Sequence, residues 1–146
     1  MPVAFEPHDV RALARLLTAA QRSLAAAERA ALEPYGLSPA VFRLLDLVAQ
    51  RPGIAPGVAA DALAVRRPTV TAWANALRAV NLLERGGVEG DARRATLTPT
   101  AEGERVAVAG RDLVRRRQNR LLAGAVDPVE QAGLLDVLQR IASAGS

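Results

Sequence analysis

Residues 56–85, PGVAADALAVRRPTVTAWANALRAVNLLER, constrain the fold more than any other stretch. From Pro68 onward, Val70, Trp73, Ala74, Leu77 and Val80 fall on one stripe of a 3.6-residue period, while Thr71, Ala72, Asn75 and Arg78 share the opposite face. Ahead of them, Ala59, Ala60 and Leu63 give a shorter helix a face of small residues, so two helices can cross closely. A short helix, a tight turn and a longer amphipathic helix make a helix-turn-helix, an arrangement that lays its second helix in a DNA major groove.

The start of that second helix narrows the reading. Pro68 suits the first helical position, where its missing N–H would have no partner anyway, and this places Arg67 at the N-cap with Arg66 just before it. Arginine is a poor cap, and a cation is unfavourable at the positive end of a helix dipole. Ser, Thr, Asp or Asn would serve stability better. Contacts to phosphate or guanine explain the pair; the plainer alternative is two solvated side chains in a surface turn.

With 146 residues, half of them hydrophobic, the chain is expected to form one domain with a real core. Aromatic residues make up only 3%, so Leu, Val and Ala must fill that core, and the abundance of Ala favours helices. There is no Cys and one His, His8, which excludes cysteine-based zinc fingers, iron–sulfur ligation, thiol catalysis and redox sensing. No metal or cofactor is expected. The enzyme reading is poor as well: no nucleophile–base pair is evident, and Gly86-Gly87-x-x-Gly90 lacks the Lys-Ser/Thr of a phosphate loop. No apolar run approaches bilayer length, and MPVAFEPHDVR lacks the basic-then-apolar pattern of a signal peptide. The expected location is the cytoplasm, with no membrane partner.

The net charge of +4 is unevenly placed. Residues 1–65 are neutral and residues 121–146 carry −2, whereas residues 66–120 hold twelve Arg against six acids. All the excess positive charge therefore begins at the second helix of the helix-turn-helix, as DNA binding requires.

Along the chain, residues 8–32 read as a long helix whose stripe, Val10, Leu13, Leu17 and Leu24, has little local partner and suits packing against another long helix of a second chain. Ser38-Pro39 starts a helix to about Gln50 that buries Val41, Phe42, Leu45 and Val48 or Ala49. After Val80, Asn81 suits a left-handed C-cap and Leu82–Arg85 a strand. From Ala95 the chain alternates, with Ala95, Leu97 and Pro99 on one face and Thr96, Thr98 and Thr100 on the other. The two strands make a hairpin, or wing, with Pro99 at its end or edge. Residues 101–122 form another long helix carrying Val106, Leu113, Val114, Leu121 and Leu122; its Arg111, Arg115, Arg116, Arg117 and Arg120 form a solvated face or touch DNA. Asp127-Pro128-Val129-Glu130 is a capping-box start for a last helix with Val129, Leu138 and Ile141.

Four local motifs follow one another at fixed spacing. Thr69-Val70-Thr71 is followed six residues on by Leu77, then by the exit Asn81-Leu82-Leu83-Glu84-Arg85, then by Asp91-Ala92-Arg93, and nine residues after that Asp by Thr100-Ala101-Glu102-Gly103. In this order the chain resembles the MarR family of bacterial transcription regulators. The likeness runs through nearly the whole chain in element order and is specific from Thr69 to Gly103. Four positions depart from the family pattern, which often places Ser at Arg66, Arg at Ala72, Gly at Asn81 and Leu at Pro99. The missing Arg at position 72 points to Arg66 and Arg67 as replacements.

The resemblance implies a mainly α fold with a small β-hairpin wing, in which a winged helix-turn-helix (38–100, wing 82–100) is flanked by N- and C-terminal dimerisation helices (8–33 and 101–145) in a single domain, 1–146. It implies a homodimer that binds a pseudo-palindromic operator in double-stranded DNA and regulates transcription, expected here as a repressor. Arg66 and Arg67 would contact phosphate or guanine, Thr69 phosphate, and Thr71 and Asn75 base edges. Arg93 and Arg94 would reach into a narrow minor groove, with Asp91 orienting Arg93. Each has a plainer role open to it: solvated hairpin arginines, a turn-capping Asn75, and a Trp73 that is core rather than a stacking platform. Many members release DNA when a small, often phenolic or lipophilic, ligand binds between the dimer helices and the winged domain; His8, Arg15, Tyr35 and Arg43 can line such a cleft or stand as ordinary surface residues. The competing readings are a winged helix kept for protein–protein interaction and a non-specific DNA-coating module.

Overall fold

Side-chain caps or an early proline start the helices, and packing around one central helix sets their arrangement. The computed structural model describes residues 6–87 and 95–144. Helix α1 spans Pro7–Leu32 and ends in a 3₁₀ turn, Glu33–Tyr35, that Gly36 closes in the left-handed region at φ 63°. Helix α2, Pro39–Gln50, begins as its sequence dictates: the Val41 N–H donates to Ser38 Oγ at 3.3 Å. Helix α3 is Pro56–Ala62 and α4 is Arg67–Ala79. Strands β1, Leu83–Gly86, and β2, Thr96–Pro99, pair antiparallel with Leu83 opposite Pro99 and Arg85 opposite Leu97. Helices α5, Ala101–Ala123, and α6, Pro128–Ala144, complete the order.

Helix α2 is the hub, packed against α1, α3, α4, α5 and β2. It buries Phe42, Leu44, Leu45 and Val48, which join Leu32, Val70, Leu77, Leu97, Val106 and Ala107 in one apolar cluster. Leu44 lies outside the single stripe expected for α2. A helix with neighbours on several sides buries a face wider than the roughly 100° of an ordinary amphipathic stripe.

The wing is anchored on both edges of β2. One edge pairs with β1; on the other, the Leu97 N–H donates to the Ile54 carbonyl at 2.9 Å and the Gly53 N–H donates to the Leu97 carbonyl at 2.8 Å. The period-two pattern is observed as expected, with Ala95, Leu97 and Pro99 buried and Thr96 and Thr98 half-exposed. Thr100 departs from it. Although it follows the outward-facing threonines, it is buried, because it caps α5. Its hydroxyl donates to the Asn81 carbonyl at 2.7 Å and accepts from the Gly103 N–H at 2.9 Å. A Cβ on Gly103 would stand 2.0 Å from the Leu82 carbonyl oxygen. The Thr-x-x-Gly segment therefore ties the end of α4 to the start of α5.

Several boundaries shift by a residue from the sequence reading: β1, expected over Leu82–Arg85, runs Leu83–Gly86, and α4 differs at both ends. The N-cap of α4 is Arg66, not Arg67, and Pro68 sits at the second helical position. Val80 is 59% exposed, because α4 ends at Ala79 and the stripe runs off the helix before reaching it. Asn81 takes the left-handed conformation expected of it, at φ 59°.

Helices α1, α5 and α6 leave apolar side chains uncovered. Val10 and Leu16 of α1, Leu121 and Leu122 of α5, and Val129, Leu135 and Ile141 of α6 are all exposed, and α6 buries none of its residues. Helix α6 nevertheless has a complete capping box: the Asp127 N–H donates to Glu130 Oε2 at 2.9 Å, and Asp127 Oδ1 accepts from the N–H groups of Val129 and Glu130 at 2.8 Å each. Among the described residues, no helix is long and apolar enough to cross a membrane.

Candidate nucleic-acid interface

The turn between α3 and α4 sets the angle of the second helix. Leu63 closes α3, and the Val65 N–H donates back to the Ala60 carbonyl at 3.0 Å. The reversal requires a left-handed residue, and the chain uses Ala64 at φ 52°. An alanine there costs about 1 kcal/mol or more, which the surrounding packing must offset. Buried Ala59 and Ala60 let α3 lie close against α4.

Helix α4 buries Val70, Ala74 and Leu77 and half-buries Trp73, which packs against the core. Trp73 thus packs at the edge of the core. The face turned outward carries Thr71, Ala72, Asn75 and Arg78, all exposed. Thr71 Oγ1 donates to the Arg67 carbonyl at 3.2 Å, so the hydroxyl offers its lone pairs outward. Thr69 is half-buried in the first turn, and its N–H donates to the Arg66 carbonyl at 2.9 Å.

The positive end of α4 has no acidic residue in its first turn, and Arg66 makes no side-chain capping bond. Arg66 and Arg67 are both exposed at that end. The structure thus gathers Arg66, Arg67, Thr69, Thr71 and Asn75 on one helix, with the polar groups on its outward side. Arg93, Arg94 and Asp91 lie outside the described residues, as does the wing tip.

A notch between α4 and the wing is lined by Thr71, Asn75, Arg78 and Arg85. The sequence alone assigns no role to Arg78 or Arg85. Helical spacing from Thr71 and Asn75 identifies Arg78 as a neighbour, whereas only the fold of the hairpin brings Arg85 to the same place.

Three arginines of the α5 cluster, Arg111, Arg115 and Arg116, form ion pairs within the chain. Arg111 Nε donates to Asp46 Oδ1 on α2 at 2.8 Å, and Arg115 and Arg116 both pair with Asp112. Hydrogen bonds from those two guanidinium groups hold the Asp112 carboxyl below the usual carboxylate range. Arg111 thus ties α5 to α2, and Arg115 and Arg116 pair along the surface of α5 itself.

Of the four residues suggested for an effector cleft, Arg43 lines an opening of about 330 Å³ between α1, α2 and α5, with Glu28, Phe42, Asp46, Arg111 and Asn119. His8 pairs with Asp9 at the exposed start of α1, Arg15 is exposed on α1, and Tyr35 packs against the core.

Residues 35–94 match the model of the MarR family. Over these residues, which hold most of the winged helix, the chain is similar to the MarR family. Solved MarR-type structures superpose over most of the chain. Wild-type MarR from E. coli, in its apo form, is 20% identical, with 94% of this chain and 98% of that one covered and a TM-score of 0.74. MepR, a transcription regulator of the Staphylococcus aureus multidrug efflux pump MepA, is 18% identical over 91% and 98% of the two chains, also at 0.74. CouR from Rhodococcus jostii, bound to p-coumaroyl-CoA, is 21% identical over 89% and 91%, at 0.71. No curated protein matches the chain in sequence. The terminal helices as well as the winged helix thus follow the MarR-family fold.

Proposed function

We propose that this chain is a MarR-family regulator of transcription that reads double-stranded DNA as a homodimer. The observation that carries the reading is the outward face of α4, where Thr71 and Asn75 stand exposed behind Arg66 and Arg67 on a helix whose other side is locked into the core. A rigid helix with base-reading side chains and cations at its leading end matches the geometry of major-groove recognition. Asn75 presents an amide suited to adenine. Thr71, whose hydroxyl proton is taken by the Arg67 carbonyl, accepts from the amino group of adenine or cytosine. Arg66 and Arg67 contact phosphate or guanine, Thr69 contacts phosphate, and Arg93 and Arg94 follow the minor groove from the wing.

The uncovered apolar residues of α1, α5 and α6 support a second copy of the chain as partner, which makes the operator a pseudo-palindrome. We assign a repressor role, relieved when a small ligand binds between the dimer helices and the winged domain. The opening beside Arg43 and the ligand-bound state of CouR support that mode of release.

The test is selection from a pool of random duplex DNA, with sequencing of the retained fraction. An enriched inverted repeat, with half-sites about one helical turn apart, is the expected result. Retention without enrichment would leave a non-specific coating protein, and no retention at low salt would favour the protein-interaction module.

A further inference from the structure

Arg78 and Arg85 come from different elements and meet at one place. Arg78 lies one turn beyond Asn75 on the outward face of α4. Arg85 is in β1, on the same strand face as Leu83 and opposite Leu97, while alternation turns Glu84 to the other face. Both line the notch that also holds Thr71 and Asn75. Both are exposed, and among the described residues neither has an ion-pair partner.

This inference rests on the DNA-reading assignment above. With α4 in a major groove and the hairpin over the adjacent minor groove, the sugar–phosphate ridge dividing those grooves passes between α4 and β1. That is where the notch lies. We propose that Arg78 and Arg85 form a clamp that grips this ridge, each guanidinium binding phosphate oxygens of the DNA backbone. Guanidinium forks match phosphate geometry, and two from separate elements hold a phosphate from both sides.

The spacing along α4 fits. Arg78 lies eleven positions beyond Arg67, about 17 Å at helical rise, and a B-form major groove is about 12 Å wide. The arginines at the start of α4 therefore meet one wall of the groove and the clamp meets the other. Gripping both backbones fixes the depth and tilt of α4, and with them the reach of Thr71 and Asn75. The clamp positions the helix and reads no base itself.

The test compares wild type with R78Q, R85Q, R78K and R85K, measuring affinity against salt concentration. The probe is the operator enriched by wild type, or random duplex if none is enriched. Each Gln variant is expected to bind on the order of tenfold more weakly at physiological salt. The salt slope should fall by about 0.9 for each phosphate that a clamp arginine no longer neutralises, or about 1.8 for a two-chain complex. The weakening should be equal on operators bearing single base changes. The Lys variants, which keep the charge, should retain the wild-type slope. Gln variants with the wild-type slope would overturn the clamp while leaving DNA reading in place. Relaxed preference at a single base pair, or an equal fall of slope in the Lys variants, would overturn it too. A wild type that binds no duplex at low salt would overturn the DNA reading and the clamp together.

Discussion

Gly103 and Ala64 show how single backbone positions hold the winged helix in shape. At Gly103 the first turn of α5 passes so close to the Leu82 carbonyl that no side chain fits, and the obstacle is backbone, which cannot rotate away. G103A is expected to lower stability by about 3 kcal/mol, seen as a melting temperature roughly 6–12 °C lower; an unchanged melting temperature would mean that the approach of α5 to Leu82 is looser than described. Ala64 presents the reverse case. It is exposed and left-handed, so its methyl group gains little packing and bears strain. A64G should raise stability by up to about 1 kcal/mol, and A64V should lower it by about 2 kcal/mol, both measurable by denaturant unfolding. Nothing in the sequence marks Ala64, since alanine carries no signature of positive φ. Asn81, a residue that tolerates the left-handed region, does carry one.

At the scale of elements, legibility follows capping chemistry and periodicity. The Ser38 cap of α2, the Asp127–Glu130 box of α6 and the alternation of β2 are all present as expected, because each depends on residues close in the chain. The start of α4 falls one residue earlier than expected for a related reason: neither Arg66 nor Pro68 fixes the boundary, since Arg66 makes no capping bond and proline is accepted at either of the first two helical positions. The burial of Leu44 is not legible, because the environment of α2 depends on neighbours distant in sequence. The candidate site divides along the same line. Asn75 and Thr71 are visible on the helix face, whereas Arg85 joins them only once the hairpin is folded. Two substitutions separate the roles of the two faces of α4. L77A empties a fully buried position and should cost about 2–5 kcal/mol of stability. N75A, at an exposed position, should leave stability unchanged and relax preference at one base pair by about 1–3 kcal/mol; uniform weakening across operator variants would argue against base reading by Asn75.

For the molecule as a whole, charge and apolar surface are segregated. The positive excess begins at α4, while the uncovered leucines and valines lie on the terminal helices. One region is suited to a polyanion and the other to a second copy of the chain. Placing Glu at both Leu135 and Ile141 should therefore shift the sedimenting species from two chains to one, without disturbing the winged-helix core, which neither residue joins. DNA reading by the outward face of α4 can be checked by titrating salt against the affinity of the wild-type chain for its selected operator and for the same duplex with both half-sites scrambled. If α4 reads DNA, affinity falls at least about a thousandfold between 50 and 200 mM salt, as expected when six or more phosphates are neutralised. The intact operator should also remain at least about a thousandfold better than the scrambled one at physiological salt. Equal affinity for the two duplexes, or affinity indifferent to salt, would contradict it.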